Sequence, residues 1–213
     1  MKKALLAAVL FTSAASFAQY NYRDSNRIGI IGGLNQTDLK TSNFDTKAEM
    51  GWNVGLSVRG NFYNDFDMVY AIEFFEGKFS VPTTNALTPA IEDVDLKIQG
   101  VKISLMPSYK IVENHLSIEA GPVLQVNGKL KYKSDYEDNF VDDLPITIKD
   151  IEDVSTFNIL GAVGITAGVR HVRLNAQYQY GFNNFLNKVE NNTTGSSFKG
   201  NLHVFTGTLI LYL

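Results

Sequence analysis

Residues 52–62 read WNVGLSVRGNF, and this stretch decides the fold class. Apolar side chains alternate along it with polar or small ones. One face carries Trp52, Val54, Leu56, Val58 and Phe62, and the other carries Asn53, Gly55, Ser57, Arg59 and Asn61. A period of two is that of a β-strand, in which successive side chains point to opposite faces of the sheet. The stretch therefore predicts a strand with one apolar and one polar face.

Seven further segments of the chain show the same alternation. They lie at 28–38, 68–74, 96–105, 116–127, 157–167, 172–182 and 205–213. Within 96–105 the apolar positions change parity at Gly100, which predicts a β-bulge there. Eight such segments predict an all-β protein whose strands form a closed, antiparallel, up-and-down barrel.

The connections between these segments alternate in length. The short ones span 63–66, 107–114 and 168–171, and the long ones span 39–49, 79–93, 131–153 and 183–199. Barrels of bacterial outer membranes have an even number of strands, short periplasmic turns and long extracellular loops. The alternation therefore favours an eight-stranded transmembrane β-barrel over a soluble one.

Aromatic residues gather at both ends of the predicted strands, where amphipathic rings would meet lipid headgroups. Near the short turns lie Phe62, Tyr63, Phe66, Tyr109 and Tyr212. Near the long loops lie Trp52, Phe74, Phe75, Tyr132, Tyr136, Phe157, Tyr180 and Phe182. We expect these residues to form two girdles around the barrel.

The N-terminus has the pattern of a secretory signal peptide. Lys2 and Lys3 precede an apolar run, and Ala18 ends a small-residue cleavage pattern. We therefore expect a signal peptide over 1–18 and the barrel domain over 19–213. The chain has no cysteine, which excludes disulfides and thiolate metal sites. Its net charge of −3 gives no basic surface for nucleic acid.

The polar face of the predicted strands carries several charged residues. On a membrane barrel this face lines the lumen, which in an eight-stranded barrel is just wide enough for side chains to fill it. Charges buried there must be paired, because an unpaired buried charge is costly. We therefore predict a lumen charge network of Arg59, Glu73, Lys102, Glu119 and Arg173. On this hypothesis Arg173→Ala strands a carboxylate and destabilises the barrel more than Lys40→Ala does.

Three short motifs resemble those of a known barrel family. The stretch 103–110, ISLMPSYK, resembles the I-P-L-x-x-K-Y strand and turn of many Bacteroidetes outer-membrane barrels, although it has Met-Pro-Ser where Pro-Leu is common. LSIEAGP at 116–122 resembles the following strand with its A-G-P run, and 172–182 resembles the D-x-R-Y-x-x-G-L strand, from which Arg173 and Gln177 depart. The chain is thus similar to the PorT-like barrel domain family. The resemblance implies a barrel in the outer membrane of a Gram-negative bacterium and implies little about function.

The connection after the fifth segment is the most acidic part of the chain. Its carboxylates include Asp135, Glu137, Asp138, Asp142 and Asp143. Closely spaced carboxylates can bind Ca²⁺, but their order does not match an EF-hand loop. A solvated acidic loop, or one bridged to lipopolysaccharide through divalent ions, therefore stays open as an alternative, and the metal is unknown. The preceding Lys129, Lys131 and Lys133 are expected to point inward near the mouth and to pair with these acids.

The three histidines, His115, His171 and His203, are spread over different connections and strands, so no pair has the spacing of a metal site. A lipid-modifying barrel enzyme would need a serine beside a histidine on its lipid face, and none is clearly placed beside His203. The sequence therefore predicts no enzymatic activity and no cofactor.

Together these patterns predict an outer-membrane barrel with a structural or surface-interaction role and a lumen plugged by its polar network. We expect outer-membrane lipid and lipopolysaccharide as partners, with an extracellular or envelope protein as a further candidate, and no nucleic acid. Three alternatives stay open: a small-solute channel, a lipid-modifying outer-membrane enzyme, and a soluble periplasmic lipocalin-like binder whose apolar face would line a cavity.

Overall fold

The computed structural model describes residues 26–85, 88–142, 144–189 and 198–213. The predicted signal peptide, 1–18, and Asp143 of the predicted acidic site lie outside them. The strands of the described chain are β1 (Arg27–Thr41), β2 (Lys47–Tyr63), β3 (Phe66–Asn85), β4 (Thr88–Val112), β5 (Leu116–Asn127), β6 (Phe140–Val141), β7 (Phe157–Gly168), β8 (Val172–Gly181) and β9 (Gly200–Tyr212). Two short 3₁₀ helices, Ser134–Tyr136 and Lys149–Ile151, lie between β5 and β7. Within the described residues, no helix has the length and hydropathy needed to span a membrane.

Eight of these strands form a closed ring in the order β1-β2-β3-β4-β5-β7-β8-β9. Every neighbouring pair is antiparallel, and β9 closes the ring on β1 from Gly29↔Tyr212 to Thr41↔Gly200. The predicted all-β, antiparallel, up-and-down barrel is therefore confirmed. The remaining strand, β6, is not part of the ring and pairs two residues with the long-loop end of β3. Closure pairs the backbone groups of every strand in the wall, as a lipid environment requires.

The outer wall of the barrel is apolar. Along the strands, side chains alternate between an exposed outward position and a buried inward one. Exposed apolar residues surround the wall: Leu34, Val54, Leu56, Ile72, Ile103, Ile118, Val163, Ile165, Leu174, Phe205 and Leu209. Soluble monomers rarely expose so continuous an apolar surface, whereas lipid requires one. The lipocalin-like alternative needs the apolar face inside, and in the structure that face is outside.

Most of the predicted girdle aromatics are exposed at the two ends of the wall. They are Phe62, Tyr63, Phe66 and Tyr109 at the short-turn end and Trp52, Phe74, Phe157, Tyr180 and Phe182 at the long-loop end. The other four predictions are wrong. Phe75 and Tyr212 are buried, because each occupies an inward position of its strand. Tyr132 and Tyr136 belong to a folded connection beyond the wall.

The predicted long loop over 79–93 is also wrong. β3 and β4 continue as one hairpin, paired from Phe79↔Leu96 to Asn85↔Thr88. The inward side chains of this extension are apolar and buried: Phe79, Val81, Val94 and Leu96. Strands form here because these side chains have an apolar core to pack against, so that side-chain packing adds to backbone pairing.

No β-bulge occurs at Gly100. β3 and β4 keep one register across it, and the even-numbered residues of β4 point inward on both sides. What changes at Gly100 is the chemistry of the inward side chains, from apolar at Leu96 and Ile98 to polar at Lys102 and Ser104. Gly100 therefore marks the level at which the interior changes from a polar lumen to an apolar core.

The long connections fold into a cap over the long-loop end of the barrel. We define the cap as residues 42–46, 76–85, 88–99, 128–142, 144–156 and 182–189. Its core includes Phe44, Phe79, Leu96, Leu130, Ile146, Ile148, Ile151, Phe185 and Leu186, all buried. Burial of apolar surface stabilises a fold by about 25 cal/mol per Å². The cap is therefore a packed unit whose core continues into inward residues of the barrel such as Phe75 and Leu160. It is built mostly from segments for which the sequence predicts long loops.

Candidate functional site

A polar network centred on Arg59 crosses the lumen, where this side chain is only 1% exposed. Nη1 of Arg59 donates to Asp67 Oδ2 at 3.1 Å and to Ser108 Oγ at 2.9 Å. Nη2 forms an ion pair with Glu119. The planar guanidinium offers five donors in a fixed fork, which suits two carboxylates at once. Because the four residues come from β2, β3, β4 and β5, the network connects four consecutive strands of the wall.

Glu119 continues the network to the opposite wall. Its Oε1 also accepts a hydrogen bond from Ser108 Oγ at 3.2 Å, and its Oε2 accepts one from Asn175 Nδ2 of β8 at 3.3 Å. Asn175 donates in turn to Thr166 Oγ1 of β7 at 2.9 Å. The structure thus brings Arg59 and Glu119 together and surrounds them with neutral polar side chains from both halves of the barrel.

Sequence reasoning missed Asp67, the second carboxylate on Arg59. A signal for it was available, because Asp67 occupies the same inward parity of β3 as Glu73. The predicted turn ends at Phe66 and the predicted strand begins at Met68, so Asp67 falls in neither. Lys110 Nζ also lies 3.6 Å from Asp67 Oδ1, so the carboxylate faces two cations.

Glu73 and Lys102 are direct cross-strand neighbours on β3 and β4. Lys102 Nζ donates to Gln179 Oε1 at 2.8 Å and lies 4.7 Å from the centre of the Phe75 ring. Glu73 accepts a hydrogen bond from Asn53 Nδ2. These two predicted residues therefore lie side by side in the lumen, held by amide side chains and an aromatic ring.

Arg173 differs from the other predicted lumen residues. It points inward and is 3% exposed, but it forms no ion pair among the described residues, and its Nε has no hydrogen-bond partner there. The inward carboxylates Asp67 and Glu119 are bound to Arg59 instead. The residue whose loss strands carboxylates is therefore Arg59.

Little space remains inside the lumen. A cavity of about 30 Å³ lies between the side chains, lined among others by Ser57, Glu73, Ser104, Glu119 and Gln177. This is room for about two water molecules, since one needs about 10–15 Å³ of such space. Above it, the core of the cap fills the long-loop end.

A second site lies on the cap, where a groove of about 400 Å³ opens to solvent. We call it the cap groove; its lining is Glu76, Asp93, Val94, Asp95, Lys97, Gln99, Lys131, Tyr132, Lys133 and Tyr136. One side is the β4 arm of the hairpin, and the other is the connection after β5. A pair of backbone hydrogen bonds of 2.8 Å between Lys97 and Lys131 holds the two sides together. The groove is therefore a built feature of the folded cap.

The two tyrosines of the cap groove are fixed through their hydroxyls. Tyr136 Oη donates to Glu92 at 2.8 Å, and Tyr132 Oη donates to Glu152 at 3.5 Å. The hydrogen bond to Glu92 raises the pKa of Tyr136 above its ordinary value. Burial, and then the charge of Glu152, raises the pKa of Tyr132. Both phenols therefore stay neutral donors across the physiological pH range.

The structure does not gather the predicted acidic residues into a metal site. Glu137 pairs with Lys149, and Asp142 Oδ2 accepts a hydrogen bond from the backbone of Asp45 at 3.0 Å. Asp135 and Asp138 are exposed. In the part of the chain that the structure describes, no three His, Cys, Asp or Glu side chains converge as metal ligands.

The lysines before the acidic loop were expected to point inward, and this orientation is wrong. Lys129, Lys131 and Lys133 are all exposed. Lys129 does pair with acids of the loop, since its Nζ lies 3.1 Å from Asp153 and 3.4 Å from Glu152. The hydrogen bond to Asp153 raises the pKa of Lys129.

The histidines form no catalytic cluster among the described residues. His203 lies on the outer wall, with its Nδ1 2.7 Å from the hydroxyl of Tyr178 and its ring edge-on to Tyr180. No serine contacts it within the described chain. His115 and His171 lie at the short turns, where His115 Nδ1 contacts the carbonyl of Glu113 at 2.8 Å.

Solved structures with a similar fold are outer-membrane proteins. Ail of Yersinia pestis, in complex with the heparin analogue sucrose octasulfate, has a TM-score of 0.51 and 13% identity over 88% of this chain and 99% of that one. Neisserial surface protein A has a TM-score of 0.49 and 10% identity, over 86% of this chain and 96% of that one. The outer membrane protein OprG of Pseudomonas aeruginosa has a TM-score of 0.44 and 10% identity, over 88% of this chain and 94% of that one. At these identities the similarity concerns the fold alone.

Comparison by sequence gives two results. No curated protein sequence matches the chain. The family model described as "Outer membrane protein beta-barrel domain" matches residues 17–187, which is most of the chain.

Proposed function

The chain belongs to the outer membrane protein beta-barrel domain family, and from this premise we propose that it has a surface-interaction role, with the barrel anchoring the cap outside the cell. The observation that carries the proposal is the pairing of a filled lumen with a folded, grooved cap. A filled lumen leaves little room for transport, whereas a folded cap whose core continues into the barrel can present a fixed surface.

The orientation of the barrel is part of the proposal. In outer-membrane barrels the long connections face outward and the short turns face the periplasm. The cap would then stand among the saccharides of neighbouring lipopolysaccharide, while the apolar wall contacts lipid. Export by a signal peptide over 1–18, the barrel domain over 19–213, and a place among the PorT-like barrels of Bacteroidetes belong to the same proposal.

The competing functions have less support. A small-solute channel needs a continuous wet path, and the lumen has a cavity of only about 30 Å³. A lipid-modifying enzyme needs a serine, a histidine and an acid on one rim, and the described residues around His203 offer tyrosines instead. Ail, a neighbour in fold alone, carries a sulfated saccharide analogue in its crystal. A surface-binding role therefore has the best support for this chain.

Cysteine labelling tests the proposed orientation directly, because the chain has no cysteine of its own. Lys133→Cys places a thiol on the cap, and Asp65→Cys places one at the short turn between β2 and β3. A membrane-impermeant maleimide should label the cap variant on intact cells. It should label the turn variant only after the outer membrane is opened. Labelling of Asp65→Cys alone on intact cells would reverse the orientation and overturn the proposal.

A further inference from the structure

The cap groove has an uneven distribution of charge. Two of its three carboxylates are neutralised by lysines from outside its lining: Asp93 pairs with Lys47, and Glu76 lies 3.3 Å from Lys78. Glu76 also accepts a hydrogen bond from Gln99.

The lysines of the groove lack such partners. Lys97 and Lys133 form no ion pair in the described chain, and Lys131 Nζ donates only to the amide oxygen of Gln99, at 2.8 Å. Within the lining, three ammonium groups therefore face one carboxylate that forms no ion pair in the described chain, that of Asp95, while Glu92 and Glu152 beside the groove bind the tyrosine hydroxyls. These lysines can therefore hold an anionic group of a ligand, although the formal charges of the lining sum to zero.

The remaining lining favours a ligand with hydroxyl groups. The rings of Tyr132 and Tyr136 offer apolar surface at the groove, while their hydroxyls are held by glutamates. Asp95 has no hydrogen-bond partner among the described residues, so it is available to accept hydrogen bonds. A volume of about 400 Å³ lies within the range of small-molecule sites, about 300–1,000 Å³.

We propose that the cap groove binds a saccharide segment bearing carboxylate, phosphate or sulfate groups. The acid group of the ligand is held by Lys97, Lys131 and Lys133, its hydroxyls donate to Asp95, and its ring carbons pack on the tyrosines. A purely acidic peptide fits less well, because it carries a carboxylate on every residue and so meets the carboxylates of the groove. The inference rests on the proposed surface role, which places the groove where saccharides are present.

The ligand has two sources with the same chemistry. The groove lies just past Phe74, the last exposed aromatic of β3, so the saccharide of a neighbouring lipopolysaccharide molecule is within reach. A free acidic polysaccharide from outside the cell is the other source. Two probes separate them: deacylated lipopolysaccharide, and a tetramer of galacturonate.

Binding would be measured with the full mature protein, refolded in detergent, by calorimetry at low salt. We expect one of the two acidic probes to bind, maltotetraose not to bind, and affinity to fall steeply as salt rises. The variant Lys97→Gln/Lys131→Gln/Lys133→Gln should lose at least tenfold in affinity. The matched control Lys40→Gln/Lys188→Gln/Lys199→Gln, which removes the same charge away from the groove, should bind as the wild type does. A heat-dependent gel shift verifies that both variants fold.

The probe that binds more tightly identifies the source, and either result supports the site. Unchanged binding in the groove variant, equal binding of maltotetraose, absence of binding by both acidic probes, or tighter binding of a hexaglutamate peptide would overturn it. Binding in detergent does not depend on membrane orientation. A reversed labelling result together with intact binding would therefore refute the surface role alone. The expected labelling result together with a loss of ligand binding would refute the groove site alone.

Discussion

At the scale of single residues, the lumen depends on one guanidinium. Arg59 holds Asp67 and Glu119 at once, and all three are at most 4% exposed. The sequence predicts that loss of Arg173 strands a carboxylate, but among the described residues no carboxylate is bound to Arg173. The difference arises from position. Arg59 on β2 reaches Asp67 on the adjacent β3 and Glu119 on β5, whereas the β7 and β9 neighbours of Arg173 offer no acid.

Replacing Arg59 should therefore cost more than replacing Arg173. Arg59→Met leaves Glu119 buried without a counter-charge and leaves Asp67 with Lys110 alone, at 3.6 Å. Breaking a buried ion pair in this way costs about 3–5 kcal/mol. Arg173→Met removes a buried cation that has no ion pair, so its cost should be much smaller. Urea unfolding of the refolded barrel, followed by tryptophan fluorescence, gives both values. Equal unfolding midpoints for the two variants would contradict this account of the network.

At the scale of elements, the β3–β4 hairpin has two different halves. Next to the lipid, outward residues such as Ile72 are apolar and inward ones such as Glu73 are polar. Beyond Gly100 the faces are reversed, with Phe79 and Leu96 inside. The same backbone alternation serves both halves, because a strand fixes only the period, and the surroundings decide which face must be apolar.

The packing of the hairpin end in the core of the cap can be tested at Phe79. Phe79→Ala opens a cavity in the core of the cap, where such a change costs about 3–5 kcal/mol. Trypsin should then cleave the cap at Lys131, Lys133 and Lys149. The barrel should still show its heat-dependent shift in gel migration. The control Phe74→Ala removes the same ring from the lipid-facing wall. If both variants are cleaved at the same rate, the cap is not held by this core.

At the scale of the whole molecule, the cap covers the long-loop end of a barrel whose lumen is filled. The lumen is filled by side chains from all parts of the ring, and the cap core fills the long-loop end. An eight-stranded barrel provides room for side chains and little else. The molecule therefore resembles a filled barrel with a folded cap more than a pore.

This filling predicts that the protein does not conduct ions. In planar bilayers the purified barrel should show no stepwise conductance. A variant that shortens the connection 131–153 should also show none, because the Arg59 network still blocks the lumen. Reproducible single-channel steps in the wild type would revive the channel alternative. Steps in the shortened variant alone would locate the barrier in the cap.

The sequence by itself determined the number of wall strands, their antiparallel order and the polarity of their two faces. Those features depend on a local period of two, which is legible at Trp52–Phe62 without knowledge of any contact. It placed Arg59, Glu73, Lys102, Glu119 and Arg173 on one face, but only the tertiary structure decided which charges meet, because the partners come from strands far apart in the chain. The parity change at Gly100 was visible, yet its cause, an apolar core above the lipid band, was not. The cap and its groove also required the tertiary structure. The connection 128–156 shows no strand period that the sequence could reveal, and the β3–β4 extension has apolar residues inside only because the other cap segments pack against them.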